Sequence, residues 1–416
     1  MKVLMLGWEF PPFFAGGVGM VCYELTKALA RREDVDITYV MPFGPDDTSN
    51  SHVKILVANN LVSDVKIKGV NTLLAAYQDE DAYQEKLKNL KSKNNGQKAE
   101  GNNTGKLYGK NLLDEVHKFA EKLKMIADHE DFDVIHAHDW TTFPAAMALR
   151  EKTGKPFVAH IHITEFDKSG GMGANPMIYD VERAGMHAAD LVIAISDFVK
   201  NNIINRYGVD PAKIRVVHNG GVEMQPARPK ELKKADDEKY VLFAGRVTLQ
   251  KGPEFFVDAA RKVLEVEKNV RFILAGSGDQ LNMVIDKAAG YGIANNFMFT
   301  GFYTRDQAEK LFHMADVFVM PSVSEPFGLV PLEAMWKGTP TIISKQSGCS
   351  EIIMNALKVD FWDINEMANK IVSVLRYGVM SKCMSTNGLS EMKNFNWDTP
   401  ASKCIDVYSE AISRRS

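Results

Sequence analysis

The chain has 416 residues, a length that fits two or three domains and a core large enough to need no covalent staples. Hydrophobic residues make up 45% and charged residues 25%, the proportions of a soluble globular protein. Fifty Lys and Arg against 53 Asp and Glu leave a net charge of -3, which argues against nucleic acid as a partner, because a phosphate backbone demands a basic excess.

The four cysteines, Cys22, Cys349, Cys383 and Cys404, show no C-x-x-C spacing, so neither a zinc knuckle nor a disulfide framework is expected. So few cysteines suit a reducing, cytoplasmic setting. Met1–Gly7 is too short an apolar stretch for a signal peptide, and no run of about 18 apolar residues predicts an integral membrane segment.

Val3–Leu6 is the first apolar run, and Val18, Val21, Cys22, Leu25 and Leu29 then recur at helical spacing. Strand-like runs follow at Ile37–Met41, Val134–Ala137, Phe157–Ile161 and Leu191–Ile195. Continuous apolar runs mark strands covered on both faces, and their alternation with helices predicts an α/β protein with doubly wound parallel sheets. The pattern restarts at Tyr240–Ala244 and continues through Arg271–Ala275, Phe297–Phe299, Val317–Met320 and Thr341–Ile343. Two Rossmann-like domains in tandem are therefore expected, at 1–222 and 240–395. A Pro-rich and charged linker joins them at 223–239, and a helical piece follows at 396–416. Lys86–Lys110 carries seven lysines and one acid, a local charge of +6, and the region about 80–112 reads as an insertion. It is either a plain solvated, mobile insertion or a functional one, a lid or a ligand-contacting loop.

Four constellations carry chemistry. Gly16-Gly17-Val18-Gly19 lies between a strand and a helix N-terminus, where backbone N–H groups can face an anion; it also fits a tight turn, and it is not G-x-G-x-x-G. Arg246 and Lys251 follow the first strand of the second half, a fork and a point charge that suit a diphosphate. Glu325-Pro326-Phe327-Gly328-Leu329 and Glu333 place two carboxylates eight positions apart around a helix start that favours anions. His136-Ala137-His138-Asp139-Trp140 and His160-Ile161-His162 end two strands, and alternate residues there share a side. They read as a metal site, or as one histidine per strand in a cleft with the rest packed. Asp131-Phe132-Asp133 resembles a metal-binding D-x-D but fits a solvated turn before a buried strand.

Together these segments resemble the retaining GT-B glycosyltransferases, most of all the glycogen and starch synthase branch (glycosyltransferase families 4 and 5). The resemblance covers nearly the whole chain except the Lys-rich segment. It implies two Rossmann-like domains facing a cleft: an acceptor-side N-terminal domain and a C-terminal domain that binds nucleotide-sugar. The last helix would pack back toward the first domain. It implies that Arg246 and Lys251 bind the donor diphosphate and that Gly16 and Gly17 approach the phosphates and sugar. His162 would contact the donor sugar near the reacting centre, and Asp139 would shape the acceptor side. Glu325 would be the carboxylate at the sugar and Glu333 would hold the ribose. Phe327, Gly328 and Leu329 would lend N–H groups to the distal phosphate, and Tyr303 would lie by the nucleobase. The chain departs from the branch in two places. Phe14-Ala15-Gly16-Gly17 lacks the lysine of the usual Lys-x-Gly-Gly loop, and His162 is followed by Ile163 where the glucan synthases have Asn.

The activity so implied is retaining transfer of glucose from ADP- or UDP-glucose to an α-1,4-glucan. Arg246, Lys251 and a helix N-terminus supply the positive potential, so no metal and no cofactor is expected. The alternative is a retaining transferase acting on a sugar phosphate, a sucrose- or trehalose-type acceptor or a cell-surface glycan. A metal-dependent hydrolase built on the H-x-H pairs, and a nucleotide-sugar-binding regulator without turnover, are remoter readings.

Overall fold

The computed structural model describes residues 1–11, 17–42, 51–58, 110–171, 173–221 and 238–415. Most of the Lys-rich segment and most of the expected linker lie outside these residues.

The first sheet holds β1 (Lys2–Leu6), β2 (Asp36–Met41), β3 (Lys54–Val57), β4 (Val134–His138), β5 (Phe157–Ile161), β6 (Leu191–Ala194) and β7 (Ile214–Val216). The second holds β8 (Lys239–Ala244), β9 (Val270–Ala275), β10 (Phe297–Gly301), β11 (Val317–Met320), β12 (Thr341–Ser344) and β13 (Leu357–Val359). The orders are β3-β2-β1-β4-β5-β6-β7 and β10-β9-β8-β11-β12-β13, and every pairing is parallel. This is the doubly wound α/β fold class that the apolar runs predict. In each sheet the order reverses beside the first strand, between β1 and β4 and between β8 and β11, where such sheets open a crevice at the strand C-termini.

Helices α1 (Gly17–Ala30), α2 (Lys110–Ile126), α3 (Phe143–Thr153), α4 (Glu165–Lys168), α5 (Pro176–Ala188) and α6 (Asp197–Asn202) accompany the first sheet. Helices α7 (Pro253–Val266), α8 (Leu281–Gly290), α9 (Arg305–Met314), α10 (Leu329–Trp336), α11 (Ile364–Arg376) and α12 (Gly378–Met392) accompany the second. The chain then returns through α13 (Asp398–Ser413) to the first sheet. Cys404, Val407, Tyr408 and Ala411 of α13 share a core with Val3, Met5, Cys22 and Leu25. Arg215 and Glu410 pair across the same contact.

The central strands β4, β5, β6, β11 and β12 are buried along their full length, as strands covered by helices on both faces must be. Three strands are absent from the sequence reading: β3, β7 and β13. All are edge or near-terminal strands of three or four residues with half-exposed positions, so they make no long apolar run. Asp131 and Asp133 sit at the N-terminal end of β4 and clamp Lys2: Asp131 takes its ammonium at 2.8 Å and Asp133 its backbone N–H at 2.7 Å. This is the opposite edge of the sheet from the crevice, which settles the D-x-D as a structural turn.

Candidate active site

A cavity of about 430 Å³ opens at the C-terminal ends of both sheets. From the first domain it is lined by Gly17 and Val18 at the start of α1, His162 after β5, and Asn219. From the second domain come Arg246 and Lys251 after β8, Ser277 after β9, Tyr303 after β10, and Glu325 with Phe327–Leu329 between β11 and α10. Nine of the residues proposed from sequence thus border one space: Gly17, His162, Arg246, Lys251, Tyr303, Glu325, Phe327, Gly328 and Leu329. Gly16 lies outside the described residues. Glu333 and Asp139 do not border the cavity.

The basic side is built on tight turns. β8 ends at Ala244, just before Gly245, and a 3-10 turn at Leu249–Lys251 follows. Gly252 closes that turn with φ 63°; a Cβ there would sit 2.2 Å from the Pro321 carbonyl, so only glycine fits. Lys251 Nζ donates to Glu325 Oε2 at 2.5 Å, and Ser322 Oγ donates to the same oxygen at 3.2 Å. Arg246 Nη2 donates to Gln250 Oε1 at 3.3 Å. Glu325 is held by its own backbone, its N–H on the Gln346 carbonyl and its C=O taking the Gly348 N–H, both at 2.9 Å.

Helix α10 begins at Gly328, whose φ of 100° lets the chain turn into the helix. No side chain caps it, and its first residues, Gly328 to Val330, line the cavity together with Lys251, an anion-favouring arrangement. Glu333 lies one turn beyond Leu329. Burial pushes its carboxyl up to about 7, with the Arg305 charge acting against that rise. Tyr303 is pushed up by burial and by the Glu333 carboxylate, and its neighbour Phe302 is 75% exposed at the cavity.

On the first domain, Asp139 is 3% exposed. It is the one residue other than glycine with positive φ, 56°, among the described residues. Such a conformation costs energy and persists where neighbours enforce it. Its Oδ1 accepts the His162 N–H at 2.7 Å and the Ile163 N–H at 3.4 Å, so the carboxylate holds the turn that carries His162.

The four histidines occupy one face of β4 and β5, under α1 and α13. His138 Nδ1 and His162 Nε2 are 2.8 Å apart, and His136 Nε2 and His160 Nδ1 are 3.0 Å apart. His136 Nδ1 meets the Tyr408 hydroxyl at 2.5 Å. Burial holds His136 and His162 down at about 3 and His138 and His160 well below the ordinary histidine value, so all four rings are neutral near pH 7. Of the four, His162 alone borders the cavity. One histidine, His162, lies in the cleft and β4 contributes none, contrary to the expectation of one per strand; the other three are packed behind it, and each pair is joined by one hydrogen bond.

Two segments of the chain match known families. Residues 98–220 match Glycosyltransferase Family 4, and residues 224–390 match Glycosyl transferases group 1. The chain is a GT-B glycosyltransferase. Among its relatives, an uncharacterized glycosyltransferase of Methanocaldococcus jannaschii is 28% identical over 99% of both chains. The glycogen synthase of Mycobacterium tuberculosis is 27% identical over 99% of this chain and 95% of that protein. Sucrose-phosphate synthase from Thermosynechococcus elongatus has the same fold, with a TM-score of 0.75 at 21% identity and 99% coverage of each chain. Membership of the glycosyltransferases replaces the metal-hydrolase reading of the histidine pairs.

The sequence reading of this glycosyltransferase overlooks Asn219, Gln250, Ser277, Ser322 and Phe302, all of which border the cavity. Ser277 and Ser322 carry a positional signal, since each follows a central strand at its C-terminal end. Asn219 carries none, because it borders the cavity only through the way the two domains sit. Contacts that hold that seating include Ser196 Oγ donating to the Pro326 carbonyl at 2.7 Å, Ser324 Oγ to Asp167 Oδ1 at 2.9 Å, and Glu351 accepting the N–H groups of Asp197 and Phe198 at 2.9 and 2.7 Å and pairing with His218 Nε2 at 2.7 Å.

Among the described residues no helix is long and apolar enough to cross a membrane.

Proposed function

We propose that this glycosyltransferase moves glucose from ADP- or UDP-glucose to the end of an α-1,4-glucan, with retention of the anomeric configuration and in the cytoplasm. One observation carries the reading: His162 of the first domain and Arg246, Lys251, Glu325 and the open start of α10 of the second border one cavity. The chemical difficulty is expulsion of a nucleoside diphosphate. As the bond from sugar C1 to the phosphate oxygen breaks, negative charge grows on the diphosphate. Arg246, Lys251 and the Gly328–Leu329 N–H groups stand ready to receive it without reorganising. That set of donors needs no metal and no cofactor for the task.

Glu325 and His162 flank the space left for the sugar, with the Glu325 carboxylate opposing the positive charge that develops at C1. Phe302 and Tyr303 take the base, and Glu333, behind the cavity wall but next to Tyr303, is assigned to the ribose hydroxyls of the bound donor. Gly17, with Gly16 before it, brings backbone close to the phosphates, and Asp139 shapes the acceptor side by holding the His162 turn. The inter-domain contacts at Ser196, Ser324 and Glu351 exclude water from the crevice, so that a sugar hydroxyl attacks instead.

The test is direct. The protein is incubated with labelled ADP-glucose or UDP-glucose and with glycogen, a sugar phosphate, fructose phosphate or a lipid-linked glycan. Label in glycogen, removed by an enzyme specific for α-1,4 links, is the expected result. Label in a small acceptor alone would make the chain a retaining transferase of the other acceptor class. Donor left intact with every acceptor would make it a binding protein without turnover.

A further inference from the structure

The buried histidines raise a question that their packing alone does not answer: on which nitrogen each neutral ring carries its proton. His138 Nε2, His160 Nε2 and His162 Nδ1 are buried and have no hydrogen-bond partner among the described residues. The other five ring nitrogens are paired within the group or with Tyr408. A neutral imidazole has one N–H and one lone pair, so each bond between rings fixes both tautomers at once.

Two assignments are open for the 2.8 Å bond between His138 Nδ1 and His162 Nε2. If His162 donates, His138 must hold its proton on Nε2, an N–H buried in the protein with nothing to receive it. If His138 donates, its Nε2 is a bare lone pair, and the unmatched N–H moves to His162 Nδ1. A buried donor without an acceptor is costlier than an acceptor without a donor. His162 is also the one residue of the four that lines the cavity, so its Nδ1, closed off from solvent in this structure, is the one unmatched nitrogen that belongs to the cavity wall. The same rule applied to the second pair has His160 Nδ1 donate to His136 Nε2 and His136 Nδ1 donate to Tyr408, with Tyr408 hydrogen-bonded in turn to Cys404. Every ring then carries its proton on Nδ1, and the only unmatched donor of the group belongs to His162.

We infer that His138 is a positioning residue: it donates to His162 Nε2 and so fixes His162 as the Nδ1–H tautomer, a neutral hydrogen-bond donor offered to a sugar oxygen in the cavity. The role for the sugar rests on the reading of His162 given under the proposed function; the tautomer does not. Ring burial, with no carboxylate on these nitrogens among the described residues, keeps the donor uncharged, so His162 orients the sugar without taking a proton from it.

The tautomer is read in the unliganded full-length protein labelled with 15N-histidine, by long-range proton–nitrogen correlation. His162 is assigned from the signals lost in His162→Asn. A protonated Nδ1 and a bare Nε2 at His162 are expected; a protonated Nε2, or an equal mixture, overturns the inference. This measurement needs no activity, so it stands apart from the donor and acceptor screen. The second measurement compares His138→Asn, whose amide keeps a donor near the position of Nδ1, with His138→Leu, which has none. His138→Leu is expected to lower kcat/KM by about tenfold or more, and His138→Asn to recover most of it. Equal loss in the two would reduce His138 to a packing residue.

Discussion

Lys251 and Glu325 are joined at 2.5 Å across 74 positions of sequence, the ammonium and the carboxylate that border the same cavity. Their side chains are 20% and 7% exposed, so Glu325 depends on Lys251 for its charge balance more than Lys251 depends on it. A donor diphosphate entering the cavity meets a lysine already oriented, and competes with Glu325 for it. Lys251→Ala should therefore lower turnover by roughly 100- to 1000-fold, with only a modest fall in thermal stability. Turnover equal to wild type in a labelled-donor assay would remove Lys251 from the diphosphate site.

Glu325→Gln gives the complementary result. It removes the competitor for Lys251 while keeping shape, so nucleoside diphosphate affinity, measured by calorimetry, should hold or rise while transfer falls by at least about tenfold. Unchanged transfer would take Glu325 out of the catalytic group.

Glu333 has a distinct pH signature. Its carboxyl is raised from 4.5 to about 7 by burial, so between those values the folded chain holds a proton that the unfolded chain has lost. Its contribution to stability is present at low pH and is lost as pH rises through about 7. Glu333→Gln should thus raise the melting temperature more at pH 8 than at pH 5. It should weaken nucleotide binding at pH 8, where the carboxylate is free to accept from a ribose diol. Equal melting shifts at both pH values would count against the raised carboxyl.

The buried histidines act in the opposite sense. Their folded values lie at about 3 for His136 and His162, against 6.5 in the unfolded chain. The unfolded chain binds protons that the folded one refuses, so stability is full above pH 6.5 and falls as pH drops below it, by up to about 1.4 kcal/mol per pH unit for each ring. Glu182, raised to about 8, and Glu333 offset part of this decline. The informative measurement is therefore a difference. The urea midpoint of His160→Gln should fall less between pH 7 and pH 5 than that of wild type.

Ser324→Ala tests the seating of the two domains. Asp167 keeps Thr164 and Asn202 as partners when Ser324 is lost, so the folding cost should be about 1 kcal/mol. Nucleotide affinity should persist and kcat should fall, because the contact lies beside Glu325 and ties it to the domain of His162. A kcat equal to wild type would show that closure does not depend on this bond.

Much of the architecture was legible in the residues themselves. Runs such as Val134–Ala137 and Val317–Met320 announce central parallel strands because both faces are covered, and alternate histidines on β4 and β5 must share a side because the strand period is two. Arg246, Lys251, Glu325 and Gly328 stood out because strand ends and helix starts are short, local patterns. β3, β7 and β13 were not legible, since an edge strand of three or four half-exposed residues leaves no periodic trace. Nor were the partnerships of Lys251 with Glu325, His138 with His162, and Asp139 with the His162 backbone. Each joins loops on different strands, and which loops meet is set by sheet order and by the seating of one domain on the other. Local composition determined which chemical groups this chain owns and on which strand ends they sit. Only the packing of distant segments decided that His162 faces the cavity while His136, His138 and His160 are sealed behind it, because burial and hydrogen-bond pairing belong to three-dimensional neighbours and not to neighbours in sequence.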